Sequence, residues 1–381
     1  MNCLLVITGA YHTDGGIAAM NRLVIQAIAE RGHSLDILSL VEDDYAVDPR
    51  YLKPGMKVHS RGFAGNKFLF ILAVWHAILG KHYSHICVDH VNLASVLAPL
   101  VWIKRCNYVV WLCGIEVFPP RPDLEGRLGL RGARKRLAIS KFTQQSVAAR
   151  FPDLSITACD LALDPVRHAD ILKLNSSALP ASVILEASDQ SRIELGDRVI
   201  LHVGRMVSGE RYKGQDSLIR AFPLILEKYP DAQLVLAGQG DDALRLKELA
   251  RELPALMHAH IFFPGHVSDD LLDRIYRRCY VFAMPSVGEG FGLVYLEAMA
   301  REKPCLGGNV DATSCVVHDG VTGLLVDDPR SYEQVAERLI EILADPQRAR
   351  AMGKAGYELV QSYYLPEHFS SRFWNALESD L

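Results

Sequence analysis

Apolar positions along this chain alternate between short continuous runs and longer stretches where they recur at helical spacing. In the first half, 4–8 reads as a strand. A helix over 17–30 follows, with Ile17, Met20, Leu23, Val24, Ala27 and Ile28 on one face. The runs 35–40, 86–89, 108–112 and 137–139 read as short buried strands. The second half restarts the alternation, with strands at 199–203, 233–237, 260–263 and 280–284. Helices are predicted between them at 215–227, from 241 and from 268, then one near 291, and three helical segments close the chain, the last at 367–378. Strands alternating with helices predict an α/β class, with a doubly wound parallel sheet covered on both faces in each half. The stretch 173–192 is polar, proline-punctuated and without a period, which marks a linker. The expected domains are therefore 1–185 and 186–363, followed by a terminal helix over 364–381.

Bulk properties narrow this picture. A chain of 381 residues accommodates two domains of roughly 180 residues, each with its own core. Hydrophobic content of 49% with 23% charged residues excludes wholesale disorder, and a net charge of −4 argues against a dedicated nucleic-acid binder. The eight cysteines are scattered with no Cys-x-x-Cys pair, a pattern that gives neither a zinc site nor a disulfide framework and suits a reducing cytoplasm. The first residues, Met-Asn-Cys-Leu-Leu-Val-Ile-Thr, lack a basic lead and read as a strand rather than a signal peptide. The apolar run 68–75 continues only to Gly80 and is too short to span a bilayer. The expected location is the cytoplasm, with attachment to the cytoplasmic face of a membrane as the alternative.

The most informative stretch is Glu289-Gly-Phe-Gly-Leu-Val-Tyr-Leu-Glu297, which follows the strand at 280–284. Gly290 and Gly292 let backbone approach a ligand, and the N–H groups of a first helical turn suit a phosphate. Glu297 lies about 6 Å along the helix from Leu293, within reach of a ribose below such a phosphate. Apolar neighbours all around Glu297 predict a buried helix, in which a charge needs a partner. Glu289 sits on a strand-to-helix loop, where ligands gather in doubly wound sheets.

After the strand at 199–203 come Gly204-Arg205 and Arg211-Tyr-Lys213-Gly214. Cations at a strand's carboxyl end can hold a diphosphate and neutralise charge that grows as it leaves. The chain contains no Asp-x-Asp triplet to hold a divalent metal, so Arg205 and Lys213 are the electrostatic substitute, with a solvated surface loop as the alternative. Gly238-Gln-Gly240 and Pro264-Gly-His266-Val267 also end strands and could line a nucleobase pocket. The loop Gly9-Ala-Tyr-His12-Thr-Asp-Gly15-Gly16 joins strand to helix without the Gly-x-Gly-x-x-Gly spacing of a dinucleotide fingerprint.

These elements, together with Gly32-His33, Cys113-Gly-Ile-Glu116, Ser140-Lys141 and Glu289-x7-Glu297, occur in the order that makes the chain resemble family 4 glycosyltransferases. The resemblance implies the GT-B fold, two Rossmann-like domains facing across a cleft with the final helix returning to the N-terminal domain. It also implies a metal-independent, retaining hexosyltransferase without a cofactor that uses a nucleotide sugar. By that resemblance Arg205 and Lys213 would clamp the donor's diphosphate and Glu297 would hold the ribose, while the double glycine Gly15-Gly16 could let backbone approach that diphosphate or a second ligand. Glu289, with the backbone of Phe291, Gly292 and Leu293, would hold the donor sugar. Relatives often carry histidine where this chain has Cys113, and a thiol cannot supply an imidazole's hydrogen bonds or charge. Either the donor-sugar contact there is altered or His12 or His90 compensates, and Glu116 would face the acceptor or form a buried pair.

The expected reaction is transfer from a UDP-sugar, with UDP-glucose first, to a saccharide or lipid-linked acceptor in polysaccharide or glycolipid assembly. A nucleotide-sugar epimerase and a silent nucleotide-sugar-binding subunit are the alternatives. The segment 121–141 holds Arg121, Arg127, Arg131, Arg134, Lys135, Arg136 and Lys141 against Asp123 and Glu125. Such a run predicts either contact with an anionic membrane or an ordinary solvated face.

Overall fold

The computed structural model describes residues 2–11, 15–44, 46–104, 106–114, 124–175, 182–186 and 192–379. The chain divides into two compact units, one made of Met1–Ala169 with Tyr364–Leu381 and the other of Asp170–Tyr363.

The first unit is built on seven parallel strands: β1 (Asn2–Ile7), β2 (Ser34–Ser39), β3 (Val58–Gly62), β4 (His85–Val88), β5 (Val109–Leu112), β6 (Lys135–Ala138) and β7 (Thr157–Ala158). Their order is β3-β2-β1-β4-β5-β6-β7, so the winding reverses between β1 and β4. The loops after those two strands border the crevice where such sheets bind ligands. One face of the sheet is covered by helix Lys67–Gly80, through Phe70, Val74 and Ile78, beside Val91, Leu97, Leu130 and Val147 from later helices. Helix Gly16–Glu30 packs against the C-terminal helix Pro366–Glu378. Trp374 Nε1 donates to the Ala27 carbonyl at 2.9 Å, and Trp111 of β5 stacks on Phe369 and Phe373.

The second unit carries six parallel strands: β10 (Val199–Val203), β11 (Gln233–Ala237), β12 (Ile261–Gly265), β13 (Val281–Met284), β14 (Cys305–Gly308) and β15 (Gly323–Val326), in the order β12-β11-β10-β13-β14-β15. A short antiparallel hairpin, β8 (Ile184–Glu186) and β9 (Arg192–Glu194), precedes them. A buried ion pair, Arg301 Nε to Asp273 at 2.7 Å, ties helix Asp269–Arg278 to the end of helix Leu293–Met299.

Several expectations need correction. The unit boundary falls after Ala169 rather than at 185, because residues around the hairpin bond to the second unit: Arg278 Nε donates to the Leu195 carbonyl at 3.0 Å and Arg274 to that of Ser182 at 3.3 Å. β3 escapes a hydrophobic reading because Val-His-Ser-Arg-Gly is an edge strand with no buried position. β14 and β15 are broken by glycines needed for close approach: a Cβ on Gly323 would lie 2.0 Å from the Cys305 carbonyl oxygen.

The basic segment is not one cationic face. Lys135 is buried, its ammonium donating to the carbonyls of Ala376 at 2.9 Å and Leu377 at 2.8 Å, where it neutralises the end of the C-terminal helix. Arg136 is buried too and donates to the carbonyls of Leu130 and Ala133, both at 2.7 Å. Arg121 and Asp123 lie outside the described residues. Among the described residues no helix is long and apolar enough to cross a membrane.

Candidate active site

In the second unit the winding reverses between β10 and β13, and the loops after these strands are locked together by glycine. The Gly204 N–H donates to the Ala237 carbonyl at 3.0 Å, and the Gly238 N–H to that of Gly265 at 2.9 Å. Gly238 has φ +143°, and a Cβ there would stand 1.9 Å from the Gly204 carbonyl oxygen. The turn Ser208–Lys213 ends at Gly214, whose φ of +84° and contact with the Pro285 carbonyl admit no side chain. These close approaches set Lys213 against the loop that carries Glu289.

The Lys213 ammonium stands 3.5 Å from Glu289 Oε2 and 3.7 Å from Glu210 Oε2. The other oxygen of Glu210 accepts from Arg205. Two cations and two carboxylates thus form a chain, Arg205–Glu210–Lys213–Glu289. Lys213, Glu210 and Glu289 are largely shielded, whereas the Arg205 side chain is 52% exposed. His202 supports this chain from beneath. It is wholly buried, burial pulls its pKa down to about 4, and its Nε2 lies 3.3 Å from the Lys213 carbonyl oxygen. A neutral ring at that distance donates Nε2–H and holds the lysine backbone in place.

Glu289 rests on an equally fixed turn. Asp311 Oδ2 accepts from the Glu289 N–H at 2.7 Å and from the Ser286 hydroxyl at 2.8 Å, while Oδ1 accepts from the Thr313 N–H at 2.9 Å. Gly292, at φ +91°, caps helix Leu293–Met299, so the helix starts two residues later than expected and Phe291 is buried before it. Tyr295 is fully buried beneath that turn, its hydroxyl donating to the Met284 carbonyl, and burial raises its pKa well above the ordinary tyrosine value. The helix is two-sided rather than apolar all round. Tyr295, Leu296, Ala298 and Met299 face inward, while Leu293, Val294 and Glu297 are half-exposed. Leu293 and Glu297 are an i, i+4 pair and share that accessible face.

The fold therefore gathers Arg205, Lys213 and Glu289, with Gly290 on the same turn as Glu289 and Gly238 one loop away. His266 is exposed and Val267 half-buried on the loop that follows Gly265. Arg211, adjacent in sequence, instead pairs with Asp242 at 2.8 Å in a network that Arg245 extends to Asp216. Sequence reading missed Glu210, although an acid three residues before Lys213 was a readable i, i+3 signal. It also missed Asp311 and His202, whose roles arise only from tertiary contact.

In the first unit, Gly15 is exposed at the start of helix Gly16–Glu30, and a Cβ on Gly16 would meet nothing within 4 Å. Cys113 Sγ lies 3.5 Å from the Asp89 carbonyl oxygen and 3.8 Å from Met20 Sδ. His90 Nδ1 accepts the Asn92 N–H at 3.2 Å as a helix cap, so its imidazole is engaged locally. His12 and Glu116 lie outside the described residues. Among the described residues no three His, Cys, Asp or Glu side chains cluster in a way that could hold a metal ion.

Residues 183–359 match the family of glycosyl transferases group 1. That segment contains Arg205, Glu210, Lys213, Glu289, Glu297 and Asp311. A curated relative, the GDP-mannose-dependent alpha-(1-6)-phosphatidylinositol monomannoside mannosyltransferase of Mycobacterium tuberculosis, is 35% identical over 199 residues, 50% of each chain. The chain thus spans about half the length of the curated relatives it matches. Among solved structures, sucrose-phosphate synthase from Thermosynechococcus elongatus superposes with a TM-score of 0.75 at 21% identity, covering 99% of this chain and 98% of that one. Anabaena HepE in complex with UDP and glucose superposes with a TM-score of 0.75 at 17% identity, covering 100% of both. The fold is GT-B, two α/β units with parallel sheets and the C-terminal helix belonging to the first.

Proposed function

We propose that this chain is a glycosyltransferase that moves a hexose from a nucleoside-diphosphate sugar to a saccharide or glycolipid acceptor, with retention of configuration and without a divalent metal. The observation that carries the reading is the Lys213 ammonium, held between Glu210 and Glu289 at the strand ends of the group 1 segment. In this proposal a diphosphate replaces the carboxylates as partner of Arg205 and Lys213. Glu289, released from the ammonium, then accepts from hydroxyls of the sugar. The bond between the anomeric carbon and the diphosphate oxygen breaks with its electron pair on the phosphate, and the two cations stabilise the charge that develops there. The acceptor oxygen bonds to the anomeric carbon on the same face, and its proton passes to the departing phosphate. Glu297, on the accessible side of its helix, takes the ribose hydroxyls.

The donor we propose is GDP-mannose, in place of the UDP-glucose expected from sequence. The 35% identical relative is named for GDP-mannose, whereas the likeness to the UDP-bound protein is one of fold. Thermal unfolding of the protein with GDP, UDP and ADP tests this, since a ligand that binds the native state raises its apparent stability. GDP should raise the midpoint most. A shift with UDP alone would return the donor to a UDP-sugar, and no shift with any of the three would remove the reading. Product formation that requires acceptor separates transfer from epimerisation and from silent binding.

A further inference from the structure

Helix Lys67–Gly80 is apolar on both of its sides. Phe70, Val74 and Ile78 face the sheet, but Phe68 is 70% exposed, Leu69 49%, and Leu72 and Leu79 each 46%. Positions 68, 72, 76 and 79 lie along one face of a helix, and His76 there is also exposed. A helix on the surface of a globular unit ordinarily turns charged residues outward, yet no charged side chain stands between Lys67 and Lys81. Two helices whose inner sides join the same core add further exposed apolar groups: Ile103, 72% exposed, on Ala98–Lys104, and Leu128, 53% exposed, on Leu124–Gly132. Exposed apolar side chains grouped along one helix face, as Phe68, Leu72 and Leu79 are, mark a contact site.

The surrounding charge indicates the partner. Residues 49–88 contain Arg50, Lys53, Lys57, Arg61, Lys67 and Lys81 and not one carboxylate. Lys81 is engaged with Asp36 and Arg50 with Asp48, while Lys57, Arg61 and Lys67 are exposed. Arg61 and Lys67 flank the end of the helix from which Phe68 projects: Arg61 lies over the Phe63 ring at 5.1 Å, and Phe63 packs edge-on against Phe70 at 5.5 Å. Asp43 and Asp44 are exposed acids on the neighbouring loop, where Asp44 accepts the Gly62 N–H. An apolar helix face with Arg61 and Lys67 at its start fits the boundary between headgroups and acyl chains of a bilayer with anionic lipid.

We propose that the first unit rests on an anionic membrane through Phe68, Leu69, Leu72 and Leu79, with Arg61 and Lys67 on the headgroups. The surface lies on a different segment from the basic run 121–141 and is independent of the transfer reaction. Co-sedimentation with vesicles of phosphatidylcholine, alone or mixed with phosphatidylglycerol, tests it. The protein should pellet with the mixed vesicles, and added salt should release part of it. Phe68→Ser with Leu72→Ser should reduce the bound fraction about tenfold at an unchanged unfolding midpoint, because both side chains already face water. Lys67→Gln with Arg61→Gln should weaken binding and blunt its salt dependence. Equal binding by the Phe68/Leu72 variant, or no binding by the wild type, would overturn the proposal. So would a dimer that forms without lipid and is lost in that variant, since the face would then be a protein interface.

Discussion

In the first unit, the loop after β1 closes on carboxylates held by backbone N–H groups and neutral side chains. Glu42, 1% exposed, accepts the Ala10 N–H at 2.8 Å and also that of Tyr11. Asp89, equally buried, accepts the N–H and hydroxyl of Thr8 and the amide of Asn21, and burial raises its pKa. In the second unit, the loop after β10 sets carboxylates against side-chain cations instead, in the chain Arg205–Glu210–Lys213–Glu289. A backbone donor cannot leave its carboxylate unless the loop unfolds. A lysine or arginine on a flexible stem can exchange a carboxylate for a phosphate while the fold stays intact. Two related strand-end loops thus carry different kinds of charge pairing, one that holds a loop in shape and one that can hand its cations to a ligand.

Substitution can break that contrast at either end. The largest effect is expected for Lys213→Ala, which should lower kcat/KM for sugar transfer about 100- to 1000-fold, the scale for removing one transition-state charge partner, with the unfolding midpoint little changed. Comparable losses of activity and of folded protein would make Lys213 a structural residue like Glu42. Next comes the pH dependence that His202 imposes on the second unit. Its folded pKa of about 4 lies below the ordinary value of 6.5, so between these values the unfolded chain binds the extra proton. The stability this group contributes is complete above about pH 6.5 and falls by roughly 3 kcal/mol as pH drops toward 4. Denaturant unfolding followed across that window should show His202→Gln losing this part of the slope. The smallest effect is assigned to Glu42→Gln, where a neutral amide oxygen accepts the Ala10 and Tyr11 N–H groups more weakly than the carboxylate Oε1 and a buried amide NH2 replaces Oε2. About 1–3 kcal/mol of unfolding free energy should go, with nucleotide affinity unchanged.

The alternation of apolar runs and helical periods was enough to read most strands of both sheets, because buried parallel strands such as Leu4–Ile7 and Ile200–Leu201 are apolar on both faces. β3, at a polar edge, and β14, whose glycines serve backbone contact, carry no such signature. Arg205, Lys213 and Glu289 were legible because each ends a strand or a turn beside glycine. The partners that fix them were not: Asp311 lies 22 residues beyond Glu289, and His202 reads as one polar position in an apolar strand. The basic run at 121–141 misled for the converse reason, since Lys135 and Arg136 are charges that satisfy buried carbonyls rather than face water.

Calorimetric titration of GDP into the wild type and into Lys213→Ala tests most directly whether these cations are a diphosphate site. The account predicts wild-type binding that weakens as salt rises, and affinity at least about tenfold lower in the variant at equal folded fraction. Equal affinity in the two proteins would contradict it.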